Sequence, residues 1–500
     1  MPPGPGKISN VAPIPGSRNI LITSALPYVN DAPHLDAPHL GNIIGSVLSA
    51  DVLARYCRMR GFNTLYIGGT DELDKLQPQV EGFFDDSAAK GEWSNNGKGQ
   101  TVGWVKRGLK DRSSTRDFKF GTSVSPRLLG YKDKVTYNWF DAPIGYLSIT
   151  AEYTDKWQDW WQPQNLDDVQ LYQFIGKDNG FFHSIFFPAT QIATGVNWTK
   201  VHHLSAAEYL QYDGATGFSK SRGIGLFGDQ AKNSGMEADV WRFYLLYHRP
   251  EDSDTDFPWD AFIAANNNML LKKLCNLVNR VIKFVNKPEP AGYGGSAMRT
   301  APWAGGRKTS AGLLGSYLRH LDAVELRMAL HIVLKISEVG NDSAQAANRS
   351  SKSDEDECGA SLHTCLNLIH LVAALLRPFP PDTAESIARR LGVEAVFVVP
   401  DTFDCDSIRP GHKLGEAEHL FTRIRPDPRR PKSGRRRAEN GKKGRKASAA
   451  PGISKCTESG DGKKPRAEQD GQRRTEASLL DGSTAVGCGL AQDLRPFSFE

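Results

Sequence analysis

ILITSALPY at residues 20–28 is an apolar run of strand length, and it opens the part of the sequence that decides the fold. Apolar residues then recur at three-to-four spacing from Ile43 to Arg60, which is typical of a helix. A second strand pattern follows in NTLYIGGTDE (63–72). This order predicts a β-α-β unit with parallel strands joined by a right-handed connection.

A second α/β half is predicted further along the chain, beyond residues 73–130, where the periodicity fails. The apolar pattern returns at 134–146 and continues in VQLYQFIGKD (169–178). A helix beginning near His183 and another apolar segment at 201–210 follow. The sequence therefore predicts a parallel sheet built from two separate stretches of chain.

From about Asp260 onward the pattern is helical only. Apolar residues recur at helical spacing over 269–285, 314–332 and 362–379, and the last of these stretches ends in prolines. The polar segment 343–359 reads as a loop between the second and third helices. These features predict a helical bundle.

Composition excludes several classes of protein. The chain has 500 residues, 39% of them hydrophobic and 24% charged, which argues against whole-chain disorder and against collagen. No stretch approaches the roughly 18 consecutive apolar residues of a transmembrane helix, so no membrane association is expected. The seven cysteines form no C-x-x-C pair, which argues against a ribbon-type zinc site and favours a reducing compartment.

Positive charge is concentrated near the C-terminus. The net charge is +5, but residues 423–446 alone hold 12 Lys or Arg and 2 Asp or Glu. The rest of the chain is therefore acidic. We expect a disordered basic tail beyond residue 426.

Two polar motifs could bind phosphate. HLGN (39–42) lies between a strand and a helix, where free N–H groups and the helix dipole attract anions. In FSKS (218–221), Lys220 could neutralise charge on a leaving pyrophosphate. Taken alone, each motif is better explained as a polar loop than as a phosphate site. The spacing G-x-G-x-x-G at 223–228 does not follow the first strand of a β-α-β unit, so it is not a dinucleotide site.

Aromatic and acidic residues suggest a pocket beside these motifs. Tyr28, Trp139 and Tyr146 could line an apolar cavity, although aromatic residues at strand ends are often core. Asp71 and Asp178 each end an apolar strand, and ligands of open α/β sheets bind at that end.

Taken in order, these segments resemble methionyl-tRNA synthetase of the eukaryotic cytosolic type, a class I aminoacyl-tRNA synthetase. The resemblance rests on ITSALPYVN (22–30), the HLGN segment, WFDAPIGYLSITAEYTD (139–155), FSKSRGIGLFGD (218–229) and NLVNRVIKFVN (276–286), and it spans about 19–425. It implies a cytoplasmic ligase that converts methionine and Mg²⁺-bound ATP to methionyl-adenylate and acylates the 3′ end of tRNA(Met). It also implies an α/β fold, with a split Rossmann-type sheet before an all-α anticodon-binding bundle.

The resemblance implies roles for particular residues. The ATP-binding residues would be His39, Gly41, Asn42, Asp178, Ser219, Lys220 and Ser221, with His39, Asn42 and Lys220 acting in catalysis. The methionine pocket would consist of Leu26, Tyr28, Asp71, Trp139, Ala142, Pro143, Tyr146 and His183. The anticodon would be read by Asn276 and Arg280.

It also implies a domain order. We expect an N-terminal arm (1–18), the first catalytic half (19–72), a remnant of the connective region (73–130), the second catalytic half (131–217), the KMSKS-like loop with the stem-contact region (218–257), the anticodon-binding domain (258–425) and the tail (426–500).

The sequence departs from this family at four places. After Glu72 it lacks the inserted domain with zinc-binding cysteines and at least one strand and helix, so zinc is not expected and the sheet should end at an unpaired edge. The unit DAPHL is written twice in 31–40, and His39 is preferred over His34 because Gly41 and Asn42 follow it. Gly217 replaces the first lysine of the KMSKS-like loop, and the family's anticodon-stacking aromatic is missing after Asn341.

Three hypotheses follow. The chain is a methionine–tRNA ligase, or it is a catalytically impaired tRNA-binding protein derived from one. The third is an unstable fragment without activity, which rapid proteolysis of residues 19–130 would favour. The tail could bind the tRNA backbone or a protein partner such as a multi-synthetase complex. RRPKSGRRR (429–437) could also be a nuclear-import signal or a solvated charge run.

Overall fold

The structure is a computed structural model that describes most of the chain, including the sheet at the centre of the catalytic half. The described residues are 11–25, 40–68, 91, 93–107, 115–116, 134–136, 141–212, 216–217, 225–289, 292–297, 304–350, 355–403, 405 and 407–425.

Four parallel strands form this central sheet. They are β1 (Asn19–Ser24), β2 (Asn63–Ile67), β3 (Val169–Gly176) and β4 (Val201–Ala207). Their order is β2-β1-β3-β4, so β1 pairs in parallel with one strand from each half of the sequence. The predicted split parallel sheet is confirmed. Within the described ranges β2 is an edge strand, as the missing family segment predicts.

The helix after β1 runs without a break from Leu40 to Met59. It comprises a first turn (Leu40–Asn42), a π-helical segment (Ile43–Val47) and α1 (Leu48–Met59). The N–H of Leu48 donates to the carbonyl of Ile43, five residues back, which defines the wider π turn. Such turns inside α-helices often mark functional sites.

Among the described residues, a helix lies in the region where the sequence pattern failed. α2 (Asn95–Lys106) has the sequence NNGKGQTVGWVK, whose Gly and Asn residues have low helix propensity. Contacts from elsewhere in the chain stabilise it. The Ser94 hydroxyl caps its first turn and also donates to the carbonyl of Leu204 in β4, 3.0 Å away. The expectation that order resumes only at residue 134 was therefore wrong.

Further helices of the catalytic half follow along the described chain. They are α3 (Asp141–Tyr153), α4 (Trp157–Trp161), a π-helical turn (Phe182–Phe186) continuing as α5 (Phe187–Ala193), α6 (Gly228–Asn233) and α7 (Ala238–Tyr247). Shorter elements are two-residue antiparallel strands at Thr115–Arg116 and Val135–Thr136, a small sheet of Leu210–Tyr212, Thr216–Gly217 and Thr255–Phe257, and 3-10 turns at Leu166–Asp168 and Lys177–Asn179.

The C-terminal part is a bundle, as predicted. Its first helix is continuous and comprises α8 (Trp259–Ala264), a π-helical segment (Ala265–Cys275) and α9 (Asn276–Val285). The others are α10 (Ala304–Asp322), α11 (Leu326–Ser350), α12 (Glu355–Leu376) and α13 (Pro381–Leu391).

Two details of the bundle correct the sequence prediction. The helical stretch 314–332 is two helices, because the chain turns at Val324, whose φ is 61°. The polar loop expected at 343–359 is largely helical, since α11 continues to Ser350 and α12 begins at Glu355.

α12 is long and apolar enough, over Asp356–Leu376, to cross a membrane by length and composition. This corrects the expectation that no stretch has that character. In the structure 89% of the most apolar stretch of this helix is buried inside the protein, so α12 is a core helix of the bundle.

One hydrophobic core continues from the sheet into the bundle. Ile20 and Ile22 of β1 point into it together with Leu53 of α1 and Leu366 of α12. Leu21, which alternates with them along β1, points into a second core that includes residues of α3, α4 and α5. The bundle therefore packs on one face of the sheet, with α1 between them.

Two arginines, the half-buried Arg242 and the buried Arg249, reinforce this junction. Arg242 donates from Nη2 to Asp51 of α1 (2.8 Å) and from Nε to the carbonyl of Phe379 in the bundle (2.6 Å). Arg249 donates to the Ser49 hydroxyl (2.8 Å) and pairs with Glu251 (3.0 Å).

Candidate active site and RNA-binding face

The flanks of the two predicted phosphate motifs lie side by side. The N–H of Leu40, the residue after His39, donates to the carbonyl of Leu226 (3.3 Å), just beyond the FSKSRGIG segment. Both leucine side chains are buried in the same core. Segments far apart in the sequence thus meet at the start of the helix that follows β1.

The first turn of that helix is tied to the end of β1. The Ser46 hydroxyl lies 3.4 Å from the carbonyl of Asn42 and 3.5 Å from that of Ala25. Gly41 and Asn42 are half-buried. The helix start therefore lies at the carboxyl end of the sheet, where ligands of such folds bind.

Tyr146 and His183 form a buried hydrogen-bonded pair near the same end of the sheet. The Tyr146 hydroxyl is 2.7 Å from His183 Nε2, and His183 Nδ1 is 2.9 Å from the carbonyl of Asn179. A carbonyl can only accept, so Nδ1 carries the proton, and in the neutral ring Nε2 accepts from the tyrosine. Burial lowers the pKa of His183 to about 4, so the ring is neutral at physiological pH.

Asp178 lies in the turn that follows β3 and is exposed. Tyr209 is its neighbour. Partial burial, together with a hydrogen bond to Asp178 and the negative charge of that residue, raises the pKa of Tyr209 to about 12. The tyrosine therefore stays protonated and can hold the carboxylate in place.

Lys177 supports the same turn and was not predicted. Its Nζ lies 2.6 Å from Glu208 and 2.5 Å from Asp254, and 4.1 Å from the centre of the Tyr209 ring. Partial burial opposes the charged ammonium, but the hydrogen bonds to Asp254 and Glu208 outweigh it and raise the pKa of Lys177. The sequence signal that could have indicated Lys177 is its position next to Asp178 in GKDN (176–179).

Asn276 and Arg280 lie one turn apart on α9, and both are exposed. The Asn276 amide donates to Asn341 Oδ1 (3.4 Å), and Asn341 in turn donates to the carbonyls of Lys273 (2.8 Å) and Ser337 (2.9 Å). Asn341 was predicted only as the point where a family segment is missing, and here it orients Asn276.

Eight of the other predicted site residues lie outside the described residues: His39, Leu26, Tyr28, Asp71, Trp139, Ser219, Lys220 and Ser221. Ala142 and Pro143 belong to the first turn of α3, but their side chains are not described.

Metal ligands do not cluster in the described ranges, where no group of three or more His, Cys, Asp or Glu side chains could hold an ion. The five cysteines within those ranges are buried and form no disulfide.

Family models match most of the chain. A model of class I tRNA synthetases of the methionine type matches residues 20–74 and 72–282. A model of the anticodon-binding domain of methionyl-tRNA ligase matches residues 308–438. The first match breaks at 72–74, where the sequence predicts the missing insertion.

Curated relatives include a probable cytoplasmic methionine–tRNA ligase of Schizosaccharomyces pombe, 36% identical over 83% of this chain and 70% of the relative. The cytoplasmic methionine–tRNA ligase of Saccharomyces cerevisiae is 34% identical over 84% of this chain and 73% of the relative. The aligned 83% of the 500 residues is 415 residues, so about 150 of the 567 positions aligned with the S. pombe protein hold no residue of this chain.

A solved structure of Mycobacterium tuberculosis methionyl-tRNA synthetase in complex with methionyl-adenylate shares the fold. Its TM-score is 0.66 at 18% identity, and the match covers 81% of this chain and 100% of that chain.

Proposed function

The chain belongs to the methionine–tRNA ligase family of class I aminoacyl-tRNA synthetases, and from that premise we propose that it activates methionine with ATP and transfers it to tRNA(Met) in the cytoplasm. The observation that carries the proposal is the contact of Leu40 with Leu226. It brings the flanks of both phosphate motifs to the carboxyl end of the sheet, near the Tyr146–His183 pair.

Adenylate formation needs no nucleophilic side chain, because the carboxylate of methionine attacks the α-phosphorus and pyrophosphate leaves. The protein has to align the two substrates and stabilise negative charge on the phosphates. In the proposal His39, Gly41 and Asn42 hold ATP together with Ser219 and Ser221, and Lys220 neutralises the leaving pyrophosphate. Mg²⁺ would enter bound to ATP.

Methionine would lie against an uncharged wall. The neutral His183 ring satisfies both of its nitrogens within the protein, through Tyr146 and Asn179. It therefore presents no charge to the ligand, which suits a polarisable thioether. Asp71 would bind the substrate ammonium, and the predicted Leu26, Tyr28, Trp139, Ala142 and Pro143 would complete the pocket.

Recognition of tRNA would use the exposed pair on α9. Arg280 offers a charged planar donor and Asn276 an amide, and both groups pair with base edges through several hydrogen bonds. Asn341 fixes the orientation of Asn276. We assign the anticodon to this pair and the ribose side of ATP to Asp178.

The decisive experiment is methionine-dependent exchange of labelled pyrophosphate into ATP. We expect the full chain to support exchange and Lys220→Ala to reduce it by two to three orders of magnitude, which is the usual effect of removing a stabilising charge from a transition state. Lys232→Ala is the matched control, since Lys232 is an exposed lysine on the neighbouring α6.

Absence of exchange in the full chain, with tRNA still retained on a filter, would instead identify a tRNA-binding protein derived from the enzyme. Because roughly 150 positions of the alignment with the S. pombe protein hold no residue of this chain, exchange activity has to be measured separately from tRNA binding.

A further inference from the structure

The first bundle helix presents a straight exposed line to solvent. The exposed positions recur every four residues, at Ala264, Asn268, Lys272, Asn276 and Arg280. Two further exposed lysines, Lys283 and Lys287, continue the line. Asp260 lies one step before Ala264 on the same spacing, and the ionisable residues that follow it along the line are all cationic.

The π-helical segment keeps this line straight. Four residues slightly exceed one turn of an α-helix, which has 3.6 residues per turn, so such positions drift around the helix. They fall short of one turn in a π-helix, whose hydrogen bonds reach one residue further. Ala265–Cys275 is π-helical and the helix is α-helical on both sides, so the two drifts offset each other.

The last described part of the chain is fastened along this helix. Asn267 donates to the carbonyl of Ile424 (2.8 Å) and accepts from its N–H (3.0 Å). Asn266 donates to the carbonyl of Thr422 (2.9 Å). These three bonds hold residues 422–424 against the π-helical segment.

Arg423 is thereby placed at the rim of a cleft of about 430 Å³ that also includes Lys272, Asn268 and Asp260. Arg423 and Lys272 are exposed. Among the described residues, no carboxylate oxygen lies within 4.0 Å of either cationic group. Their charge is therefore available to a ligand.

We propose that Lys272 and Arg423 on one side of the anticodon pair, and Lys283 on the other, bind phosphates of the tRNA anticodon arm. This inference rests on the proposed function, since the bases read by Asn276 and Arg280 set the position of the backbone. Lys272 and Lys283 are 11 residues apart on the helix, or roughly 16 Å at 1.5 Å per residue.

The test measures binding of labelled methionine tRNA to the full chain over a range of salt concentrations. We expect Lys272→Gln combined with Arg423→Gln to weaken binding about 20-fold near 0.1 M salt and to lower the slope of log K against log salt by about 2. Lys308→Gln, an exposed lysine on α10, is the matched control and should change neither quantity. Thermal unfolding of each variant confirms that it is folded.

Equal affinity and slope for wild type and double variant, both binding tRNA, would overturn the inference and leave the catalytic proposal intact. Polyglutamate is the competing probe. If the wild type bound it as tightly as tRNA, the line would be a general anion surface, and the assignment to RNA would be wrong. Pyrophosphate exchange by the wild type, which needs no tRNA, reports separately on the proposed function.

Discussion

At the scale of single residues, the hydrogen bond between Tyr146 and His183 constrains the chemistry of the site most strongly, because it joins two buried polar side chains. Both groups are buried, so a nitrogen left without its partner would keep the full cost of its lost hydration. The pair therefore defines the pocket wall through satisfaction of hydrogen bonds as well as through shape.

We expect Tyr146→Phe to destabilise the protein by about 1–3 kcal/mol, because it leaves His183 Nε2 buried without a donor. The KM for methionine in pyrophosphate exchange should rise as well. Urea unfolding and exchange kinetics measure the two effects.

Tyr153→Phe is the matched control on the same helix. The Tyr153 hydroxyl is buried and has no hydrogen-bond partner, so its removal should cost less than about 0.5 kcal/mol. Equal losses from both substitutions would show that the Tyr146 hydroxyl contributes nothing through His183.

His183 also makes stability depend on pH. Its pKa falls from an ordinary 6.5 to about 4 in the folded protein, so the unfolded chain binds a proton more readily. The associated stability is complete above pH 6.5 and is lost as the pH falls toward 4. Between pH 7.5 and 5, His183 should account for roughly 2 kcal/mol of lost stability.

Urea unfolding of the wild type and of His183→Asn at both pH values checks this. His203, whose pKa burial also lowers to about 4, titrates in the same window in both proteins and cancels in the difference. An unchanged pH dependence in the variant would contradict the assignment.

The family resemblance could propose Tyr146, in WFDAPIGY (139–146), and His183, in FHS (182–184), but not the hydrogen bond between them, because the two residues are 37 positions apart. It could not propose Lys177 as a support for Asp178, since its partners Glu208 and Asp254 are 31 and 77 residues away. Only the meeting of β3 with later segments brings these charges together.

At the scale of elements, the end of helix α11 was not predicted because its buried residues are small. The segment 343–359 reads as polar, yet Ser343, Ala344 and Ala347 are buried at three-to-four spacing. Alanine and serine give a weak hydrophobic signal, so the pattern of α11 faded before the helix ended. The turn at Val324 was missed for the opposite reason, because apolar residues continue on both sides of it.

The end of α13 offers a test of backbone geometry. Gly392 has a φ of 70°, and a Cβ there would lie 2.5 Å from the carbonyl oxygen of Lys413. We expect Gly392→Ala to lower the free energy of unfolding by more than about 1 kcal/mol, from both the left-handed conformation and the clash.

Gly312→Ala should act in the other direction. Gly312 lies within α10, is exposed, and has open space around an added Cβ. Alanine there should stabilise the helix by up to about 1 kcal/mol. Chemical denaturation of both variants measures the contrast, and a stabilised Gly392→Ala variant would refute the strained turn.

At the scale of the whole molecule, α1 belongs to two domains at once. It follows the predicted ATP motif, and its buried side chains pack into a core shared with the bundle. The division of the sequence into catalytic and anticodon segments could be predicted from the change in periodicity. The shared core could not, because it depends on contacts between distant residues such as Tyr56 of α1 and Tyr317 of α10, whose ring centres are 6.4 Å apart.

We therefore expect residues 19–425 to unfold in one cooperative calorimetric transition. Arg242→Met should lower its midpoint, since Asp51 is buried and, within the described ranges, would keep Arg55 as its ion-pair partner. Loss of one member of such a cluster costs up to about 3 kcal/mol. Two separate transitions in the wild type would show that the halves are energetically independent.

A shared core also limits how the protein can be recombined. Grafting the bundle of a relative onto this sheet would replace one wall of a packed interior, and the new side chains would have to fit those of α1 in shape as well as in polarity. Exchange of anticodon specificity by swapping whole segments should accordingly yield insoluble chimaeras. Substitutions confined to the solvent side of the first bundle helix leave that interior untouched, and they are the practical route to altered tRNA choice.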